Sequence, residues 1–175
     1  MVASNFNKSL SLVLQSEGGN DDDPADHGGR TSRGITQREY DAWRAERKQP
    51  TLDVWKAPQF DIVAIYREEY WNPQCDDLPL GMDYLYFDMA VNAGPNRAAI
   101  LLQRALDVTA DGRIGPITRQ AIASAHAAEL VQDFSAEKEA FYRALHQPKF
   151  LKGWLNRVAF TRQNALKMLM DQTVA

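Results

Sequence analysis

Apolar residues in this chain recur almost everywhere at three- and four-residue intervals and hardly anywhere at two, which restricts it to a helical fold with little sheet. Phe6, Leu10, Val13 and Leu14 stand at i, i+4, i+7 and i+8, one face of a first helix that Ser4 or Asn5 can cap and Gly18-Gly19 can stop. Thr36 followed by Glu39 has the form of a capping box, opening a second helix through Tyr40 and Trp43. A third is expected to begin near Pro58, a favoured first helical residue, and to end before Asn72-Pro73. Further helices are expected over 81–93, closed by Gly94-Pro95, and over 96–107, 116–125, 127–146 and 149–171, the last two separated at Pro148. Between the first two helices, the polar run NDDDPADHGGRTSRGIT is too irregular to be helical. Its Gly28-Gly29 and the short Arg33–Thr36 run suit a small β-hairpin or an ordered loop. The expected architecture is mostly α with one small β element near the N-terminus. Asp76–Leu80 is read as a hinge between halves 1–78 and 79–175, packed as one compact unit.

At 175 residues the chain can bury a core without staples. Its single cysteine, Cys75, excludes an internal disulfide, and no nearby His or Lys stands out to activate it, so it reads as a small buried hydrophobe. A net charge of -3 and a pI near 5.6 argue against nucleic acid as a partner. The same charge gives no long-range attraction to an anionic polymer, so any such attraction must come from local patches. The N-terminal segment does not read as a signal peptide, and no run approaches a membrane span. Synthesis in the cytoplasm without a signal peptide, no membrane insertion and a monomeric state are therefore expected.

Glu17 lies eleven positions after Phe6, so at 100° per residue it returns to the face of the apolar stripe. A carboxylate at the end of a core-facing stripe, beside a glycine break, is partly desolvated yet reachable. Desolvation raises its pKa, as a general acid at neutral pH requires. The plainer alternative is a solvated or salt-bridged helix-end glutamate. Asp26 follows nine residues later and Thr31 five after that. A helix-end Glu and an Asp on the hairpin after it can face each other across a cleft, the arrangement glycoside cleavage needs. Turn chemistry or a calcium loop are the alternatives for this acidic, glycine-rich stretch. It lacks the alternating ligand spacing and final Glu of an EF-hand. His27 has no second His or Cys at helical spacing and reads as a surface loop residue. No metal and no cofactor are expected.

The run Glu17-Gly18-Gly19, then Asp23-Pro24-x-Asp26-x-Gly28-Gly29-x-Thr31-x-x-Gly34-Ile35-Thr36, resembles the signature of glycoside hydrolase family 108. Those proteins are N-acetylmuramidases found among phage endolysins and bacterial lysozyme-like proteins. The Glu, Asp, Thr order is also similar to the catalytic triplet of phage-type lysozymes, with an Asp-to-Thr gap one residue shorter here. The resemblance implies a lysozyme-like helical fold and peptidoglycan glycan strands as partner. It implies Glu17 as the catalytic acid, with Asp26 and Thr31 positioning water or stabilising the transition state; Asp23 is an alternative to Asp26.

In the second half, Phe87-Asp88-x-x-Val91-Asn92-x-Gly94, Leu102-Gln103 and Asp111-Gly112-x-Ile114-Gly115-Pro116-x-Thr118 resemble the predicted peptidoglycan-binding half that accompanies this family, as does Phe150-Leu151-x-Gly153-Trp154-x-Asn156-Arg157. Asp88 and Asn92, one helical turn apart, and Trp154 are candidate substrate contacts. The alternatives are that Asp88 and Asn92 cap or bridge helices internally and that Trp154 is core. The loop Asn20-Asp21-Asp22-Asp23 is more acidic than the family pattern, which would raise the pKa of Glu17 further. A lytic transglycosylase, a non-catalytic wall-binding module and a chitin-cleaving enzyme are the rival functions.

Overall fold

A computed structural model describes residues 5–16, 20–21, 30–71 and 74–173. They belong to two compact units, Asn7–Glu69 in one and Tyr70–Ala175 with Met1–Phe6 in the other.

The smaller unit follows the expected order of helix, small sheet, helix. Helix α1 (Phe6–Ser16) buries Leu10 and Val13 from its apolar stripe. The polar stretch supplies a three-stranded antiparallel sheet of β1 (Asn20–Asp21), β2 (Thr31–Ser32) and β3 (Ile35–Thr36). Arg33 and Gly34 join β2 to β3 with φ of 52° and 80°. Two positive φ values are what a two-residue hairpin turn of matching twist requires, and glycine supplies the second without a Cβ penalty. Arg33, which has that Cβ, is held by its neighbours. Its carbonyl accepts from the Tyr66 hydroxyl at 2.7 Å, and its guanidinium donates to the Ala57 carbonyl at 2.8 Å and Gln59 Oε1 at 2.6 Å.

The capping box is present. The Glu39 amide donates to Thr36 Oγ1 at 3.2 Å and the Thr36 amide to Glu39 Oε2 at 2.8 Å, opening α2 (Gln37–Glu46). Tyr40 and Trp43 form the buried face of α2. The Tyr40 hydroxyl donates to buried Asp61 at 2.5 Å, and Arg44 reaches the same oxygen at 3.2 Å, tying α2 to α3 (Gln59–Ile65). Pro58 serves as the N-cap of α3 rather than its first residue, and the helix runs on as a π-helical turn over Tyr66–Trp71.

The larger unit is built around α4 (Met82–Ala93), whose residues 82–90 are all buried. It packs against α5 (Pro95–Ala105), α7 (Ala127–Ala144) and α8 (Pro148–Thr173), with α6 (Pro116–Ser124) between α5 and α7 in the chain. This run of helices is the one the periodicity predicts, with ends shifted by up to two residues. Gly81, at φ 82°, precedes α4, and a Cβ there would stand 2.5 Å from the Ala165 carbonyl oxygen. Glycine is what lets α8 come this close. Phe6, Trp71 and Phe87 meet edge to face with centroids 5.3–6.0 Å apart, and Cys75 is buried as expected. Among the described residues no helix is long and apolar enough to cross a membrane.

Asp83 sits at the start of α4, 5% exposed, accepting from the Tyr84 amide at 2.7 Å and from Asn5 at 3.2 Å. Burial pushes its pKa from 3.8 up to about 6, against the pull of those donors. A folded-state pKa above the unfolded one means that ionised Asp83 opposes folding. Its stabilising share is complete below pH 3.8 and is lost as pH rises through about 6. Asp83→Asn keeps the accepting oxygen without the charge. At pH 7.5 it should stabilise the protein by about 2–3 kcal/mol, with the difference from wild type vanishing below about pH 4. Urea melts at both pH values check this; equal gains at both would mean the effect is not the charge.

Candidate active site and its helical neighbour

The chain from α1 into the sheet carries the residues with chemistry. Glu17 comes directly after Ser16, the last residue of α1, and Asn20 opens β1. Glu17 and Asp26 lie outside the described residues, as do Asp23 and His27. Thr31 is described. It opens the middle strand, in register with Asp21 on one side and Thr36 on the other. Ser32 and Ile35 are 2% and 1% exposed, whereas Thr31 and Thr36 are only half-buried. Strand alternation thus sends Ser32 inward and leaves Thr31 on the open face of the sheet.

The Thr31 backbone is fixed by an aromatic anchor that the sequence reading did not single out. Trp55, in a short 3-10 turn over Val54–Lys56, donates its indole N–H to the Thr31 carbonyl at 2.9 Å. Asp53 caps that turn through the Trp55 amide at 3.0 Å and pairs with Arg30 at 2.7 Å, and the Arg30 guanidinium lies 4.2 Å from the Trp55 ring centroid. The signal available in sequence was the Asp53-x-Trp55 pair, an Asx cap beside an exposed indole. It gains meaning only once Thr31 is known to be its partner.

In the helical unit the three candidate contacts have different surroundings. Asp88 is 1% exposed, and both its oxygens are taken. Lys138 on α7 donates to one at 2.7 Å, while Arg157 on α8 approaches the other through Nε at 2.9 Å and Nη2 at 2.8 Å. Lys138 also donates to Thr161 at 3.3 Å. Burial alone would raise the Asp88 pKa, but the two cations hold it below the ordinary carboxylate range. Burial lowers the Lys138 pKa, an effect that Asp88 partly offsets. Asp88 therefore bridges α4, α7 and α8, with both oxygens of its carboxylate occupied. Asn92 is exposed, with its amide donating to the Asp88 carbonyl one turn back at 2.6 Å. Trp154 stacks on buried Tyr142 at 5.2 Å and lies 5.8 Å from the Phe150 ring.

Gln103 explains the Asp111–Thr118 motif structurally. Its buried amide donates to Asp111 at 2.8 Å, the Arg113 carbonyl at 3.0 Å and Thr118 at 3.2 Å, and accepts from the Gly112 amide at 2.8 Å. The loop before α6 is wrapped around one side chain.

The family model described as glycosyl hydrolase 108 matches residues 10–94, and the one described as predicted peptidoglycan domain matches 97–159. Among solved structures, the chain is similar to one titled "Structure of Brucella abortus SagA". The two are 34% identical, with 94% of this chain and 95% of that one covered and a TM-score of 0.80. The search of the curated proteins found no match.

Proposed function

We propose that this chain, which belongs to the glycosyl hydrolase 108 family and is a glycoside hydrolase acting on peptidoglycan, cleaves the β-1,4 bond between N-acetylmuramic acid and N-acetylglucosamine with Glu17 as general acid. The observation that carries this reading is the placing of the motif. Within the matched segment, Glu17 follows the last residue of α1, and the chain then enters a small sheet whose middle strand presents Thr31 on its open face. In chain order, an acid follows a helix and a polar side chain sits on a strand further along, the two kinds of group a glycosidase uses at a scissile bond.

In this mechanism Glu17 protonates the departing sugar oxygen as the bond breaks and the ring gains oxocarbenium character. Asp26 and Thr31 orient the water that completes the cut, and the Trp55 hydrogen bond keeps the Thr31 backbone in place. A lytic transglycosylase would use the same acid but let the sugar's own hydroxyl attack, leaving no task for Asp26 and Thr31. The same reading assigns the chain to lysins of the phage endolysin kind, made in the cytoplasm and reaching the wall on holin action or lysis, and active as a monomer. Mass analysis of fragments from digested peptidoglycan tests the chemistry. The expected products end in reducing N-acetylmuramic acid. Ends carrying a 1,6-anhydro ring would make the protein a transglycosylase, and reducing N-acetylglucosamine would place the cut at the other linkage.

A further inference from the structure

The overall charge of -3 hides a strongly basic stretch. Residues 140–170 hold six Lys or Arg and no Asp or Glu, in a chain with 20 basic and 23 acidic residues. They span the end of α7 and most of α8. Phe150, 48% exposed, and Trp154 stand at i and i+4 on α8, with Trp154 backed by Tyr142 from α7. At 100° per residue Gly153 lies between Lys149 and Phe150 around the helix, and Lys152 lies beyond Lys149, on the side away from the rings; both lysines are exposed. The Lys149 ammonium lies 5.3 Å from the Phe150 ring.

Gly153 is the telling member. A glycine inside a helix costs stability relative to alanine, so its presence wants a reason. Its φ is not positive, and among the described residues nothing lies within 4 Å of where a Cβ would stand. Packing does not require it. What it does is leave bare backbone between two aromatic rings and two ammonium groups, which lets a flat ligand come close.

Resting on the reading of the protein as a peptidoglycan hydrolase, we propose that the Lys149, Phe150, Lys152, Gly153 and Trp154 surface is a glycan-holding site of the helical unit. It takes a peptidoglycan strand with a sugar ring against the aromatic face and stem-peptide carboxylates on the two lysines. Aromatic rings offer a sugar an apolar platform, and the lysines offer the anionic strand the local attraction that the acidic chain as a whole lacks. The peptidoglycan family match reaches residue 159 and so includes all five residues.

The test is co-sedimentation of the full chain with purified, insoluble peptidoglycan, in a Glu17→Gln background so that cleavage does not consume the polymer. Phe150→Ser and the pair Lys149→Glu/Lys152→Glu should each weaken binding about tenfold. Gly153→Ala should raise the thermal midpoint and still weaken binding, an outcome that no folding defect produces. Lys167→Glu, the same charge change further along α8, should bind like the parent. The proposal is overturned if the parent does not sediment with the polymer, or if Phe150→Ser and Gly153→Ala bind as it does. Loss confined to the lysine variants would mean plain charge attraction and overturn it too. So would variants that lose binding only to phosphatidylglycerol vesicles, because the surface would then meet a membrane. Cleavage by the unmodified chain is scored separately, so failure of the enzymatic reading and failure of this site are told apart.

Discussion

Asp88→Ala should cost about 3–5 kcal/mol of stability, the range for breaking a buried ion pair by removing one partner. Lys138 has no exposed side-chain surface, so without the carboxylate its ammonium is left buried and uncompensated beside the Arg157 guanidinium. Thr161, the remaining polar neighbour of the Lys138 ammonium, carries no charge. The loss should be specific to the imbalance. Adding Lys138→Met to Asp88→Ala removes one stranded cation and should recover part of the stability, making the double variant more stable than Asp88→Ala alone. Urea unfolding of the single and double variants checks this. A loss under about 1 kcal/mol for Asp88→Ala, or simple additivity of the two changes, would mean that the triad does not hold α4, α7 and α8 together.

That triad also shows where sequence reasoning stopped. The helices were legible because their apolar spacing is local, and the Thr36–Glu39 box because a capping box spans only four residues. Asp88 reads from sequence as a candidate substrate contact with an internal helix bridge as the alternative, because its partners stand 50 and 69 residues away. A signal was present on both sides. Asp88 interrupts the apolar run Tyr84–Val91, and Lys138 falls on the stripe of Val131, Phe134, Ser135 and Tyr142, which the structure buries. A charge on each of two buried stripes is what a buried pair looks like before its geometry is known.

The division of the chain was harder still. Sequence placed the halves at 1–78 and 79–175; the compact units divide between Glu69 and Tyr70, and the two family matches meet at 94–97. Helix α4 accounts for the spread. It ends the glycosyl hydrolase match, yet its residues 82–90 are the buried centre of the helical unit. Contacts rather than chain order decide such a boundary. At the candidate site, Glu17 is proposed from its place after an amphipathic helix together with the family signature, and it lies outside the described residues. The support given to Thr31 by Trp55 was not legible, because the two stand 24 positions apart with no local pattern linking them.

The central claim is that Glu17 supplies the proton for cleavage of the peptidoglycan glycan strand. General acids contribute about 100- to 10,000-fold in rate, and a sugar alkoxide is a poor leaving group without one. Glu17→Gln has the same shape but no acidic proton, so it should lose that factor with the fold unchanged. The most direct measurement is the rate at which new reducing ends appear in a suspension of purified peptidoglycan, for wild type and Glu17→Gln side by side, with their thermal midpoints compared. A variant slowed at least about 100-fold at an unchanged midpoint is the predicted result. A variant that cleaves as fast as wild type would remove Glu17 from the chemistry and contradict the account.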